Sequence, residues 1–404
     1  MKVCFETFGC RLNKAEALQM EAEYAANGWE RTEKHSDADL FVVRGCSVTI
    51  RAQRDCEKFI AHLKRRYPTV PMRVCGCFKD EKKKSHDAES RKTHAAKLGV
   101  EIDNLDEATH IPTRTARAYL KVQDGCNGKC TFCIVPKFRG KSKSIPFSLV
   151  IDKAKHFIDA GYHEIVVTGC NLVLYASEGR RLPDLIAALS KLTLPGSVSR
   201  TRIRLGSVEP GDCALECVHA MAEGANVCRF LHIPFQSGAN RILMAMKRPY
   251  FARDISTLAQ TAQKLMPGIR LGCDVMTGFP DESELDLAAT KGLLSRHSFS
   301  NVHVFPFSER PGTLAATYGG GIPPGIRSER ARALAEKGAD NRYEYARPFY
   351  GKTVEIVNES DEECFGRTDE YLWCRAIGKV PRKSLARVVV TKVHHDGTLE
   401  GIIR

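Results

Sequence analysis

The chain has 404 residues, 61 Lys and Arg against 48 Asp and Glu for a net charge of +13, and 16 cysteines. The length exceeds one domain, and 43% hydrophobic with 27% charged residues excludes a disordered or fibrous polymer. No run of about eighteen apolar residues occurs, which excludes a membrane-spanning helix. The opening MKVCFETFGCRLNK carries no export signal, so the expected setting is the cytoplasm, with thiols kept reduced.

Three early β-rich runs, KVCFETFGC, DLFVVRGC and VPMRVCGC, each end in Gly-Cys, at Cys10, Cys46 and Cys77. Helix-like stretches follow the first two, and the spacing of the cysteines matches one strand–helix–strand unit each. In a parallel α/β sheet the carboxyl ends of the strands share one edge, where ligands bind. The three corners then converge on one site, and their glycines admit a bulky inorganic group. The plainer alternative is three unrelated core cysteines.

A linker is expected from about Asn104 to Thr115, around Pro112. Six further strand-like runs follow: AYLKVQDG, EIVVTGC, TRIRLGSV, CRFLHIPFQ, RLGCDVMTGF and NVHVFPFS. Helix-like segments separate them, the last with an expected capping box at Asp281 and Glu284. This alternation predicts a parallel sheet with chemistry at the strands' carboxyl ends, and six units make a partial rather than a closed eight-stranded barrel. After about Arg347 only short strands and polar turns remain, which predicts a small antiparallel β-barrel able to bind RNA. Tyr371, Trp373 and the basic residues near Arg382 are its candidate RNA contacts, with barrel core the equal alternative for Trp373. The chain thus divides into 1–112, 113–347 and 348–404.

The charge is uneven. Residues 62–97 carry a net +7 and residues 114–155 a net +8, whereas 348–404 is neutral. Two such segments point to a polyanion, nucleic acid first, although a run such as Lys82-Lys83-Lys84 also serves as a solvated face. Inside the second segment lies QDGCNGKCTFCIVP, with Cys126, Cys130 and Cys133 in Cys-x-x-x-Cys-x-x-Cys spacing. Three thiolates within eight residues can wrap a polynuclear iron–sulfur centre. A structural zinc would need a fourth ligand, and none lies nearby in sequence. Cys4, Cys56, Cys213, Cys217, Cys228, Cys273, Cys364 and Cys374 read as small core hydrophobes, while Cys75 and Cys170 stay open. A lone His232 or His303 reads as a satisfied strand histidine.

The spacing at Cys126, Cys130 and Cys133 resembles that of the radical S-adenosylmethionine enzymes. The wider set TFGCRLN, GCSVT, CGCF, RGKSKS, VTGCNL, LGSVEP, HIPFQSG, GFPDE and HVFPFSERPGT resembles the methylthiotransferases, across nearly the whole chain. Within that family LGSVEP, HVFPFSERPGT and GRTDEY look most like the branch acting on N6-threonylcarbamoyladenosine beside the tRNA anticodon. Close alternatives are isopentenyladenosine in tRNA or a ribosomal protein side chain, and a different class is a non-catalytic protein holding zinc and RNA.

The resemblance implies a partial radical S-adenosylmethionine barrel flanked by a cluster-bearing domain and a TRAM-like barrel. It implies two 4Fe–4S clusters, one on Cys126, Cys130 and Cys133 and an auxiliary one on Cys10, Cys46 and Cys77. It also implies S-adenosylmethionine against Phe132, with Glu209, Gln236, Ser237 and Arg248 lining the pocket. One cofactor molecule would supply a methyl group to sulfur, and a second a 5′-deoxyadenosyl radical that removes hydrogen from C2 of the adenine. An unactivated aromatic C–H offers no acidic proton, which is why such chemistry does not rest on paired carboxylates. Expected partners are tRNA, an external flavodoxin-like or ferredoxin-like electron donor and a sulfur source. The chain departs from relatives at Val43-Arg44-Gly45, where they carry Asn-Thr, and in Phe78-Lys79-Asp80-Glu81.

Overall fold

The computed structural model describes residues 1–78, 110–111, 114–192, 201–211 and 213–404. The basic run 79–97, most of the expected linker and the expected boundary at residue 112 lie outside these residues. The α/β architecture has three parts, all built from the patterning above.

The first part is a parallel sheet of β1 (Lys2–Thr7), β2 (Leu40–Cys46) and β3 (Met72–Cys77), with Glu30–Arg31 pairing at its edge. Every residue of the central strand β2 is buried, as its unbroken apolar start requires for a strand covered on both faces. Helices α1 (Arg11–Ala26) and α2 (Ile50–Arg66) return the chain between strands. Thr49 caps α2 by accepting the Ala52 amide at 3.1 Å.

The second part contains six parallel strands in chain order: β4 (Ala118–Lys121), β5 (Glu164–Thr168), β6 (Arg202–Leu205), β7 (Phe230–Gln236), β8 (Arg270–Thr277) and β9 (Asn301–Pro306). Single bridges at Ile203 and Ser207 join β6 to the chain around β7. Alternation sorts the side chains. Ile165, Val167, Ile203, Leu205, Leu231, Ile233, Leu271 and Cys273 enter one core with the outer helices. Glu164, Arg202, Arg204, His232 and Asp274 alternate with them and take the concave face. The expected capping box is displaced by two residues. Ser283 caps the helix Glu284–Arg296, with Asp286 accepting the Ser283 amide at 2.8 Å. Asp281 lies in the preceding turn with φ +60°.

A 23-residue helix, Pro324–Ala346, leads into the third part. There Thr353–Asn358, Cys364–Arg367, Trp373–Ile377, Leu399–Ile403 and Leu385–Val393 close a barrel in that spatial order. All its pairs are antiparallel except Trp373–Ile377 with Leu399–Ile403, which run parallel.

The third part docks through the loop after Arg367. Arg204 donates to the Thr368 and Asp369 carbonyls, both at 2.9 Å, and Arg202 to the Glu355 and Arg367 carbonyls at 3.1 and 3.2 Å. Glu164, wholly buried, holds both arginines and Arg117. Tyr371 stacks on Phe230 at 4.8 Å, and its hydroxyl accepts from Arg11 at 2.9 Å. Tyr371 therefore joins all three parts, half-buried among them. Trp373 is neither core nor bare. It stacks on Phe365 at 4.4 Å on the outer barrel face, with Arg367 over its ring at 3.6 Å.

Candidate metal and cofactor site

The three Gly-Cys corners do meet. Gly45 pairs with Gly76 and Cys46 with Cys77 across β2 and β3, and β1 ends beside them. Gly9 has φ +98°, and a Cβ there would lie 2.8 Å from the Cys46 Cβ and 3.0 Å from its Sγ. Only glycine brings the Cys10 corner that close. Asn13, fully buried, ties the corners by donating to the Phe8 carbonyl at 2.8 Å and the Gly45 carbonyl at 2.9 Å. Cys46 and Cys77 are buried and Cys10 is exposed. Burial pushes the Cys77 thiol above its ordinary range, and the neighbouring Arg139 acts against that.

The second triad sits on the loop after β4. Gly125 has φ +66°, and a Cβ there would stand 2.1 Å from the Lys141 carbonyl. The Cys126 amide donates to the Gly140 carbonyl at 3.1 Å, and Thr131 pins the loop to the Met246 carbonyl at 3.1 Å. The Gly128 amide points at Cys126 Sγ, 3.3 Å away, and Arg248 Nη1 donates to Cys130 Sγ at 3.0 Å. All three thiols are half-buried. Burial raises Cys130, opposed by Arg248, and pushes Cys133 up to about 12.

Among the other expected pocket residues the structure discriminates. Arg248 and Glu209 pair with each other beside Cys130, and Glu209 accepts from Asn171 at 2.5 Å. Asn171 is thus a pocket residue that the sequence reading did not name, although its motif VTGCNL had drawn attention. Phe132 is half-buried against Ile242, Met246, Phe279 and Phe307. Gln236 closes β7 with φ +70° and donates to the Pro234 carbonyl at 3.2 Å. Ser237 is fully buried, and its hydroxyl is taken by the Ala239 amide and Thr290.

Of the two open cysteines, Cys170 meets Asp124 at 3.4 Å, whereas Cys75 lies below Cys77 beside Arg44 at 3.7 Å. The eight cysteines read as core are all buried. His232 and His303 are not isolated: both hold Asp274 Oδ1 at 3.1 Å on the concave face.

Arg139 reaches from the segment after the second triad to a cysteine of the first. It ends the short helix Val135–Arg139 that follows Cys133, and its Nε lies 2.8 Å from Cys77 Sγ. Glu16 lies beneath it and also takes Arg44 and Lys121, so the departure at Arg44 serves this buried network. Lys129, Lys141 and Lys143 of the same basic segment are exposed.

Each triad offers three sulfurs on glycine-bearing loops, one of them facing a guanidinium. That donor set fits a polynuclear iron–sulfur group, whose sulfurs accept hydrogen bonds from the protein.

Residues 2–99 match the family described as Uncharacterized protein family UPF0004, and residues 120–294 match the Radical SAM superfamily. A Thermotoga maritima protein named threonylcarbamoyladenosine tRNA methylthiotransferase MtaB is 30% identical over 88% of this chain and 86% of its own. Its Bacillus subtilis namesake is 29% identical over 98% and 94%. An Aquifex aeolicus tRNA-2-methylthio-N(6)-dimethylallyladenosine synthase is 29% identical over 97% and 96%. Among solved structures, the radical S-adenosylmethionine methyltransferase TsrM from Kitasatospora setae superposes with a TM-score of 0.54 at 12% identity, over 75% of this chain and 72% of its own; it shows the fold. With a Radical SAM match over residues 120–294 and a methylthiotransferase relative 30% identical over 88% of this chain, the chain belongs to the radical S-adenosylmethionine methylthiotransferase family.

Proposed function

We propose that this protein adds a methylthio group to C2 of N6-threonylcarbamoyladenosine beside the anticodon of tRNA. The observation that carries this reading is a further cysteine triad, bound at Cys77 by the arginine that follows the Cys126–Cys133 loop, within a chain that aligns over nearly its full length with relatives named for that reaction. In this reading Cys126, Cys130 and Cys133 hold one 4Fe–4S cluster, and Cys10, Cys46 and Cys77 hold the other. When bound, the clusters and S-adenosylmethionine supply the electron, the radical and the sulfur that an unactivated C–H requires.

The chain's own residues position and shield. Arg248 steadies Cys130 and is itself fixed by Glu209, Tyr250 and the Pro234 carbonyl. Phe132 presents a half-buried ring next to two cluster ligands. Residues 1–112 form the auxiliary-cluster domain, 113–347 the radical core and 348–404 the RNA-binding barrel. Exposed Lys129, Lys141 and Lys143 contact tRNA phosphates together with the run 79–97. A reductant and a sulfur source act from outside the chain. No helix among the described residues is long and apolar enough to cross a membrane, and a tRNA substrate places the reaction in the cytoplasm.

Two measurements test the reading. Anaerobic reconstitution should give about eight irons and 5′-deoxyadenosine on addition of S-adenosylmethionine; zinc without cofactor cleavage would sink it. Nucleoside mass spectrometry of tRNA from cells lacking the gene should show loss of the methylthio mark from threonylcarbamoyladenosine. Loss from the isopentenyl nucleoside instead would assign the activity carried by the Aquifex synthase.

A further inference from the structure

Arg139 lies inside the basic segment by sequence, yet its side chain is only 7% exposed. A guanidinium has five N–H donors, and here all five are used. Nε donates to Cys77 Sγ at 2.8 Å. Nη1 donates to Glu16 at 3.0 Å and Asp124 at 2.9 Å, and Nη2 to Asn13 at 2.7 Å and Glu16 at 3.0 Å. The acceptors come from both parts of the chain: Asn13, Glu16 and Cys77 from the N-terminal sheet unit, Asp124 from the six-stranded core. A planar fork bound on every edge cannot swing, so its approach to the sulfur is fixed.

Four of the five bonds go to oxygen, and the fifth is aimed at a cysteine. A thiolate bonded to iron is an anionic acceptor, so a cationic N–H on it favours the more reduced and more negative state of the group it holds. The other end of the helix Val135–Arg139 follows directly on the Cys126–Cys133 loop. Five residues of helix span only about 7.5 Å, so the guanidinium is a short strut from one triad to the other.

We infer that Arg139 is a positioning residue for the Cys10, Cys46 and Cys77 site. Its Nε–H on Cys77 raises the reduction potential of the cluster held there and fixes that cluster against the loop carrying the radical triad. This inference rests on the cluster assignment proposed above.

The test uses the full chain with Cys126, Cys130 and Cys133 replaced by Ala, so that only the auxiliary cluster reports. Iron content is measured first. About four irons are expected, and none would refute the cluster assignment itself, a failure separate from that of Arg139. A potentiometric titration followed by electron paramagnetic resonance then compares R139Q and E16Q with this parent. R139Q should keep its iron while the midpoint moves negative by about tenfold in the ratio of reduced to oxidised cluster, ~59 mV for one electron.

E16Q breaks ion pairs of the same guanidinium but leaves the Nε–H in place and removes a negative charge, so its midpoint should not move negative. An unchanged midpoint in R139Q, or an equal negative shift in both variants, would overturn the inference. Should R139Q unfold or lose iron, R139K carries the test. It restores a cation between Glu16 and Asp124 without the donor on Cys77, and a midpoint equal to the parent's would likewise overturn it.

Discussion

Replacing Glu164 by Gln should loosen the joint between the radical core and the C-terminal barrel. Glu164 is completely buried and accepts four bonds from three arginines: Arg202 at 2.6 Å, Arg204 at 2.7 and 3.0 Å, and Arg117 at 3.4 Å. Burial alone would raise its carboxyl, but the arginines hold it far below the usual carboxylate range. Glutamine is nearly isosteric, yet it removes the charge and turns an NH2 toward guanidinium donors.

Breaking a buried pair on one side costs about 3–5 kcal/mol. Arg202 and Arg204 keep their carbonyl acceptors in the barrel loop and Arg117 keeps Glu359, which places the loss near the lower end, about 3 kcal/mol. The chain has two tryptophans. Trp29 sits in the N-terminal core, so in a W29F background Trp373 alone reports on the barrel. Urea unfolding followed by that fluorescence should show E164Q losing its signal at clearly lower denaturant than the parent. A change under about 1 kcal/mol would show that the three arginines are held by carbonyls alone, and the reasoning would fail.

Glu16 gives a pH prediction. Burial pushes its carboxyl up, but Arg44, Arg139 and Lys121 outweigh that and bring it from 4.5 to about 2. A depressed acid stabilises the fold above its unfolded value and loses that contribution as pH falls through the folded one. Roughly 3 kcal/mol should therefore vanish between about pH 4.5 and pH 2, and E16Q should flatten this limb of an acid-unfolding curve; an identical limb would refute the network. G125A, whose new Cβ would stand 2.1 Å from the Lys141 carbonyl, should cost more than about 1 kcal/mol and strip iron from the Cys126 triad while sparing the other; full iron content would contradict the strained-loop argument. If RNA bases stack on the Phe365–Trp373 pair, W373A should weaken tRNA binding by about 1–3 kcal/mol with little change in melting temperature, and unchanged affinity would leave the pair a purely structural one.

The periodic parts of the fold were readable because their causes are local. Alternating strand and helix patterns located all six core strands, and the repeated Gly-Cys ending located the three corners that Gly9 and Asn13 now hold together. Arg139 was not readable as a site residue. It stood among lysines and counted only as charge, because its acceptors Cys77, Asn13 and Glu16 lie 62 to 126 positions away. Asp274 escaped for the same reason: nothing local shows that β7 and β9 bring a histidine to each side of it. Ser237 is a different case: its motif suggested a pocket, and the structure shows a buried hydroxyl bonded to the Ala239 amide and Thr290. Tyr371 entered only as a candidate RNA contact, and docking of the barrel adds its stack on Phe230.

The six-stranded sheet leaves its two outer strands unequal. Along β4, helix α1 lies close, with Glu16 bound to Lys121 at 2.8 Å and Lys14 over the Tyr119 ring at 5.1 Å. Along β9 the helix Pro324–Ala346 packs, with Gly338 against Val302, while His303 and Phe305 stay exposed. Under the function proposed above, a tRNA adenosine must turn out of its stack to reach a centre held on the loop after β4 and at the carboxyl ends of β2 and β3. Turning a base out costs a few kcal/mol in a helix and least in a single-stranded loop. On that reading a loop adenosine is modified more readily than the same adenosine placed in a paired stem.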